Sequence, residues 1–241
     1  MNGSIPLVTA PKGPLDVLYR DDALVIVNKP SGLAAHRGLA NERGDYVLTR
    51  VRDALAQQVY LAHRLDRGTS GAIALVLDPR WVEPLQRAFQ ENRVDKRYLA
   101  LARGVLPPET LVDYAVPRSL ETPDDRVEAQ TELFARGVFE NRYTLVEAHP
   151  ITGRYHQIRR HLKHLQHPII GDTTYGDNKQ NKLFRERFGI MRLALHASRL
   201  VLPHPVTGAR LEIHAPLPDD LAVPFVAMGF PLAAKSGELG G

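Results

Sequence analysis

The chain contains the stretch His63-Arg64-Leu65-Asp66-Arg67-Gly68-Thr69-Ser70-Gly71, which runs directly into the apolar residues 72–77. The apolar run has the length and bounds of a buried strand, so the sequence predicts a loop that presents Asp66 at the start of that strand. Arg64 and Arg67 flank Asp66 and predict an anionic carboxylate. An anionic carboxylate can act as a nucleophile or a base, and flanking arginines suit a polyanionic substrate.

Composition places the chain among ordinary globular proteins. It has 241 residues, of which 44% are hydrophobic and 24% charged, and it has no cysteine. The absence of cysteine excludes disulfides and thiolate metal sites and fits a reducing compartment. No apolar stretch has the length of a membrane span, and residues 1–14 lack the pattern of a signal peptide. We therefore expect a cytoplasmic protein with no membrane partner.

Positive charge is concentrated in one part of the chain, although the net charge is only +4. Residues 154–182 contain Arg154, Arg159, Arg160, Lys163, Lys179 and Lys182, together with His156, His161, His164 and His167. The only acids in that span are Asp172 and Asp177. This distribution predicts a surface that faces phosphates, with a solvated basic helix face as the alternative. The histidine spacing does not match a zinc motif, so no metal site is expected.

Hydrophobic periodicity predicts an α+β fold. Strands are expected over 15–19, 24–28, 72–77, 97–103, 111–116, 129–135, 143–148, 193–202 and 210–214. Helices are expected over 45–58, from 79 onward, over 153–166 and over 219–228. Strands in adjacent pairs favour a mixed, largely antiparallel sheet over a regular βαβ array. We expect one catalytic domain over 15–230, between a flexible arm (1–14) and a flexible tail (231–241).

Residues 63–71 resemble the signature motif of the RluA-type RNA pseudouridine synthases. Residues 27–32, 96–100 and 153–159 resemble further segments of that family in the same order, and the resemblance covers residues 15–216. It implies the pseudouridine synthase fold, with a bent sheet, flanking helices and a central active-site cleft. It also implies an enzyme that isomerises uridine to pseudouridine in RNA after base flipping, without a cofactor. The S4-type domain of many relatives is expected to be missing.

The same resemblance implies roles for individual residues. Asp66 corresponds to the catalytic aspartate, and the sequence leaves open whether it attacks the sugar or acts as a base at C2′. Tyr98 corresponds to the tyrosine that stacks on the target base, and Arg159 to the arginine that pairs with the aspartate. Arg64 corresponds to the arginine that replaces the flipped base in the RNA stack, as a planar guanidinium can. The predicted substrate-binding residues are Arg64, Arg67, Lys29, Arg154, Arg160 and Lys163.

The expected partner is RNA. Residues 159–165 and 169–181 resemble the short branch of the family that modifies transfer RNA, whose target is uridine 65 of the T-stem. A ribosomal RNA uridine and a non-catalytic RNA-binding protein on the same scaffold are the alternatives. A serine hydrolase is disfavoured because Ser70 does not lie in a Gly-x-Ser-x-Gly elbow. No protein partner is implied, and a monomer is expected.

Overall fold

The computed structural model describes residues 9–36, 44–119 and 121–232. Residues 1–8 of the predicted arm and 233–241 of the predicted tail lie outside the described residues. Within the described ranges, every helix is too short or too polar to cross a membrane.

Twelve strands occur in the described part of the chain. Every strand predicted from the sequence is present, with its bounds shifted by a few residues, and β3, β7 and β8 are additional. The strands are β1 (Asp16–Arg20), β2 (Leu24–Lys29), β3 (Tyr60–Leu61), β4 (Ser70–Val76), β5 (Asp95–Arg103), β6 (Glu109–Asp113), β7 (Val116–Pro117), β8 (Arg126–Val127), β9 (Gln130–Phe139), β10 (Tyr143–Pro150), β11 (Leu195–Pro203) and β12 (Arg210–His214).

One large sheet contains most of these strands, in the order β1-β2-β4-β11-β5-β10-β9-β6. β3 pairs with β4, β12 pairs with β11, and β7 and β8 form a separate two-stranded sheet. Among the described strands, the pairing of β4 with β11 is parallel and the others are antiparallel. The predicted mixed, largely antiparallel sheet is therefore confirmed.

The helices are α1 (Val47–Leu55), α2 (Val82–Gln90), α3 (Gln157–His164), α4 (Asn178–Phe188) and α5 (Asp219–Ala227), and a short 3-10 helix (Pro79–Trp81) precedes α2. The prediction that a helix starts at residue 153 is wrong, because α3 begins only after His156. The backbone of His156 is left-handed, with a φ of 54°, and cannot continue a helix in the N-terminal direction. α4 was absent from the sequence prediction.

The core has two faces because β2 and β4 are buried on both sides. Leu24 and Ile26 pack in a cluster with α2, whereas Val25 and Val27 pack in a cluster with α1. Burial on both faces explains why residues 72–77 are continuously apolar instead of alternating. A third cluster packs α3, α4 and α5 against β5 and β10.

The register across β11 brings two distant segments level with each other. Gly71 of β4 lies opposite Ala197 of β11, and Ala197 in turn lies opposite Tyr98 of β5. The loop that precedes β4 therefore emerges close to Tyr98. This junction is where the cleft opens.

Candidate active site

The loop that carries Asp66 lies between β3 and β4. Thr69 N–H donates to the carbonyl of Asp66 at 3.1 Å, which closes a tight turn. Gly71 follows with a φ of +115°, and a Cβ added there would lie 2.2 Å from the carbonyl oxygen of Ala197. Glycine is the residue that allows both this conformation and this approach of β4 to β11. The turn and the close strand contact together direct Asp66 into the cleft.

Residues 29–32 support this loop from behind. Lys29 is fully buried, and its ammonium donates to three backbone carbonyls at 2.8–3.2 Å, one of them that of Arg67. The Ser31 hydroxyl donates to the carbonyl of Gly68 at 2.8 Å. Lys29 was predicted to bind substrate, but its N–H groups are taken by the backbone and it is fully buried, so its environment is that of a residue that supports the loop. Burial, together with the charge of Arg192, lowers the pKa of Lys29 to about 7.

Arg159 of α3 joins two carboxylates. Its Nη1 donates to Asp66 Oδ2 at 3.2 Å, and its Nε and Nη2 donate to Asp172 at 2.7 and 2.9 Å. Burial alone would lower the pKa of Arg159, but the bonds to Asp172 and the charges of both acids raise it. Arg159 is therefore a fixed cation. The structure brings it together with Asp66 as the sequence predicts.

Asp172 holds the guanidinium of Arg159 in place, and sequence reasoning assigned it no role. It is 1% exposed, and its Oδ1 also accepts from the backbone N–H groups of Thr174 and Tyr175 at 2.9 and 3.0 Å. Burial alone would raise the pKa of Asp172, but the Arg159 hydrogen bond and charge lower it. No signal in the sequence indicates this role, because Asp172 and Asp177 are both acids of the same basic span and nothing local distinguishes the buried one.

Tyr98 projects from β5 into the same cleft as Asp66. The cleft has a volume of about 640 Å³, and its lining includes Asp66, Tyr98, Arg159 and His156. Burial, followed by the charge of Asp66, raises the pKa of Tyr98. The phenol is therefore neutral at physiological pH and presents an uncharged aromatic ring to the cleft.

His156 lies on the other side of Asp66. Its Nε2 is 3.6 Å from Asp66 Oδ2, and its Nδ1 is 3.0 Å from the Tyr175 hydroxyl. Arg160 Nε also donates to that hydroxyl, at 3.0 Å. Burial lowers the pKa of His156 to about 4, so the ring is neutral at pH 7. The sequence motif includes His156, but no role was predicted for it.

The remaining predicted cations differ in position. Arg64 and Arg154 are exposed and line the cleft. Arg67 is exposed next to the loop, and its Nε donates to the carbonyl of Gly32 at 2.9 Å. Lys163 is exposed on α3 but does not line the cleft.

Arg160 has a structural connection that the sequence did not indicate. Besides Tyr175, its guanidinium donates to the carbonyls of Pro117, Tyr155 and Ser119. These bonds tie α3 to the β7–β8 ribbon and occupy much of the side chain that was predicted to bind RNA.

The other clustered histidines have separate partners. His161 is buried between the Thr131 hydroxyl and the carbonyl of Tyr114, at 2.9 Å from each. His164 stacks on the Tyr114 ring at 3.6 Å, and His167 Nδ1 is 2.9 Å from the carbonyl of Arg103. Among the described residues, no group of three or more histidines and acids is placed to hold a metal ion.

The arrangement supports nucleophilic attack or proton transfer on a ligand in the cleft. It places a carboxylate on a fixed guanidinium at one wall of a cleft, with a neutral aromatic ring at another wall and exposed arginines at the opening. The carboxylate side chain is 25% exposed, so a ligand in the cleft can reach it. Such a carboxylate can attack carbon or accept a proton.

Comparisons with known proteins agree on one family. The family model described as RNA pseudouridylate synthase matches residues 23–164. The tRNA pseudouridine synthase C of Vibrio parahaemolyticus is 39% identical over 224 residues, which cover 85% of this chain and 91% of that protein. The tRNA pseudouridine synthase C of Yersinia pestis is 40% identical over 220 residues, which cover 83% of this chain and 86% of that protein.

Solved structures show the same fold. Human RNA Pseudouridylate Synthase Domain Containing 4 superimposes with a TM-score of 0.74 at 24% identity, covering 89% of this chain and 93% of that one. Human RNA Pseudouridylate Synthase Domain Containing 1 gives a TM-score of 0.71 at 26% identity, with 89% of each chain covered.

Proposed function

The chain belongs to the RNA pseudouridylate synthase family, and from this premise we propose that its substrate is transfer RNA, with uridine 65 of the T-stem as the target. The observation that carries the proposal is the similarity to tRNA pseudouridine synthase C proteins, at 39–40% identity over most of the chain. The exposed basic residues around the cleft are consistent with a substrate that is bound through its phosphates.

The first step is exposure of the base. A uridine in a stem has to leave the stack before any side chain can reach its glycosidic bond. Arg64 is exposed at the opening of the cleft and has a planar guanidinium that can stack where the base was. The flipped uracil then lies against the ring of Tyr98, which remains a neutral phenol because burial raises its pKa.

The reaction exchanges one bond for another within the same nucleotide. The N1–C1′ bond breaks and a C5–C1′ bond forms, while the base loses its proton at C5 and gains one at N1. Asp66 is the one carboxylate among the described residues that line the cleft, and it acts on the ribose, either by attack at C1′ or by removal of the C2′ proton. No electrons are exchanged with another molecule, so the reaction has no requirement for a redox group.

Arg159 and Asp172 prepare the carboxylate for this step. Arg159 donates to Asp66 at 3.2 Å and is itself held by two shorter bonds to Asp172. A guanidinium held in this way orients Asp66 without having to reorganise during the reaction. Asp172 is therefore a positioning residue in this proposal.

Mapping pseudouridine across all RNAs tests the proposal. A strain that lacks the gene should lose pseudouridine at T-stem uridine 65 of transfer RNA and at no ribosomal site. A plasmid with the wild-type gene should restore it, whereas Asp66→Asn should not. Asp53→Asn is the matched control, because Asp53 has a side chain that is 65% exposed and does not line the cleft. A loss of pseudouridine confined to ribosomal RNA would refute the proposal that transfer RNA is the substrate. Restoration of pseudouridine by Asp66→Asn would refute the catalytic role of Asp66.

A further inference from the structure

Lys96 is a buried cation that the proposed mechanism does not use. It lies on β5 two residues before Tyr98, so both side chains project from the same face of the strand. Lys96 is 8% exposed, and it lines the cleft together with Tyr98 and Arg154. An ammonium this deeply buried normally has several polar partners.

The ammonium of Lys96 has few partners. Its Nζ donates to the carbonyl of Thr152 at 3.3 Å, and this is its one hydrogen bond within the described parts of the chain. No carboxylate of those parts lies within ion-pair distance of it. Asp95, its neighbour in sequence, instead pairs with Arg199 at 2.7 Å. Since an ammonium has three N–H donors, two donors are left for a ligand.

Lys29 provides a comparison within the same molecule. It is also buried, but all three of its N–H donors bind backbone carbonyls. Lys29 therefore has the environment of a structural lysine. Lys96 is similarly buried, but it lacks the hydrogen-bond partners that a structural lysine has. Burial lowers the pKa of Lys96 to about 8, so the group is still largely charged at neutral pH.

We propose that Lys96 binds a phosphodiester of the RNA, at a linkage next to the nucleotide that stacks on Tyr98. This inference rests on the proposed function for the location of the target nucleotide. An ammonium is a compact point charge that recognises phosphate, and a charged oxygen offsets its desolvation better than a neutral uracil carbonyl does. Residues two apart on a strand are about 7 Å apart, which leaves room for a base on Tyr98 and its backbone at Lys96.

The test uses Lys96→Met, a variant of similar shape without the charge. Lys12→Met is the matched control, since Lys12 is an exposed lysine outside the cleft lining and its loss changes the net charge equally. The ligand is a short synthetic RNA around the site identified by mapping, which the wild-type protein converts to pseudouridine. One version is unmodified, and two versions carry a neutral methylphosphonate at the linkage 5′ or 3′ of the target.

Lys96→Met should bind the unmodified RNA about tenfold more weakly than the wild type, and Lys12→Met should change affinity much less. One of the two methylphosphonates should weaken wild-type binding by about the same factor and leave the binding of Lys96→Met unchanged. The melting temperature of Lys96→Met should not fall, because a buried and poorly partnered charge has been removed. A lysine with a structural role would instead lower it.

Three results would overturn the inference. The first is that Lys96→Met binds the RNA with wild-type affinity. The second is that both methylphosphonates weaken binding, and that their effects add to the effect of Lys96→Met. The third is that Lys96→Met has a lower melting temperature that accounts for its weaker binding. Additive losses of affinity would indicate that Lys96 contacts the base and not the phosphodiester backbone. Failure of the proposed function is recognised separately, because the wild-type protein would then leave T-stem uridine 65 of transfer RNA unmodified whatever the binding data show.

Discussion

Replacing each of the two carboxylates that share Arg159 should separate stability from catalysis. The Asp172 side chain is 0% exposed and makes two bonds to Arg159, whereas the Asp66 side chain is 25% exposed and makes one. Breaking a buried pair typically costs about 3–5 kcal/mol, and a partly exposed pair contributes roughly 0–1 kcal/mol. Asparagine keeps one acceptor, so Asp172→Asn should lower the free energy of unfolding by about 3 kcal/mol.

Asp66→Asn should change that free energy by less than about 1 kcal/mol and abolish pseudouridine formation. Asp172→Asn should retain turnover, reduced by roughly a hundredfold, because Arg159 loses its fixed position. The assays are urea unfolding at pH 7 and tritium release from [5-³H]uridine RNA, with Asp53→Asn as the control. Equal loss of stability in the two variants, or full turnover in Asp172→Asn, would refute the division of roles.

The pH dependence of this difference has a defined sign. The folded-state pKa of Asp172 is lowered from 3.8, so its contribution is fully present at pH values above 3.8. It is lost as the pH falls through the folded-state value. The stability difference between wild type and Asp172→Asn should therefore be constant from pH 5 to 8 and shrink in stronger acid. A difference that disappears near neutral pH would contradict the assignment.

Three further changes test other parts of the structure. Gly71→Ala should cost well over 1 kcal/mol in urea unfolding, since its φ is +115° and the new Cβ would meet Ala197; normal stability would contradict the strand contact. Lys96→Met should raise the free energy of unfolding by about 3 kcal/mol at pH 7, as burial lowers the pKa from 10.5 to about 8. This gain is complete below pH 8 and disappears as the pH passes 10.5, so an equal gain at pH 7 and pH 11 would be inconsistent with it. Arg64→Ala should reduce single-turnover rates more on a stable RNA stem than on a flexible single strand; equal losses would remove the stacking role.

The sequence was sufficient where the signal was local or contiguous. The apolar run at 72–77 predicted β4, and strand pairs predicted the mixed, largely antiparallel sheet. The resemblance of residues 63–71 and 153–159 to one family predicted that Asp66 and Arg159 pair, although they are 93 positions apart in the sequence.

The missed features depend on the tertiary structure. That Asp172 is buried follows from the packing of α3 and α4, and no local pattern states it. The correct start of α3 depends on a left-handed His156, which a helical periodicity cannot reveal. α4 did have a local signal, since Asp177 caps its first turn and Gly189 ends it with a φ of 71°. Its charged sequence, with weak amphipathic periodicity, concealed it.

The parallel contact between β4 and β11 has a consequence for synthesis of the protein. The residues it joins, such as Ser70 and His196, are 126 positions apart, so the segment that aims Asp66 is translated long before its neighbour in the sheet exists. Contacts of such long range form slowly and late. A ribosome-bound chain that ends before residue 195 has the acid but lacks the strand that positions it. Catalytic competence should therefore arise only when the last fifth of the chain has left the ribosome.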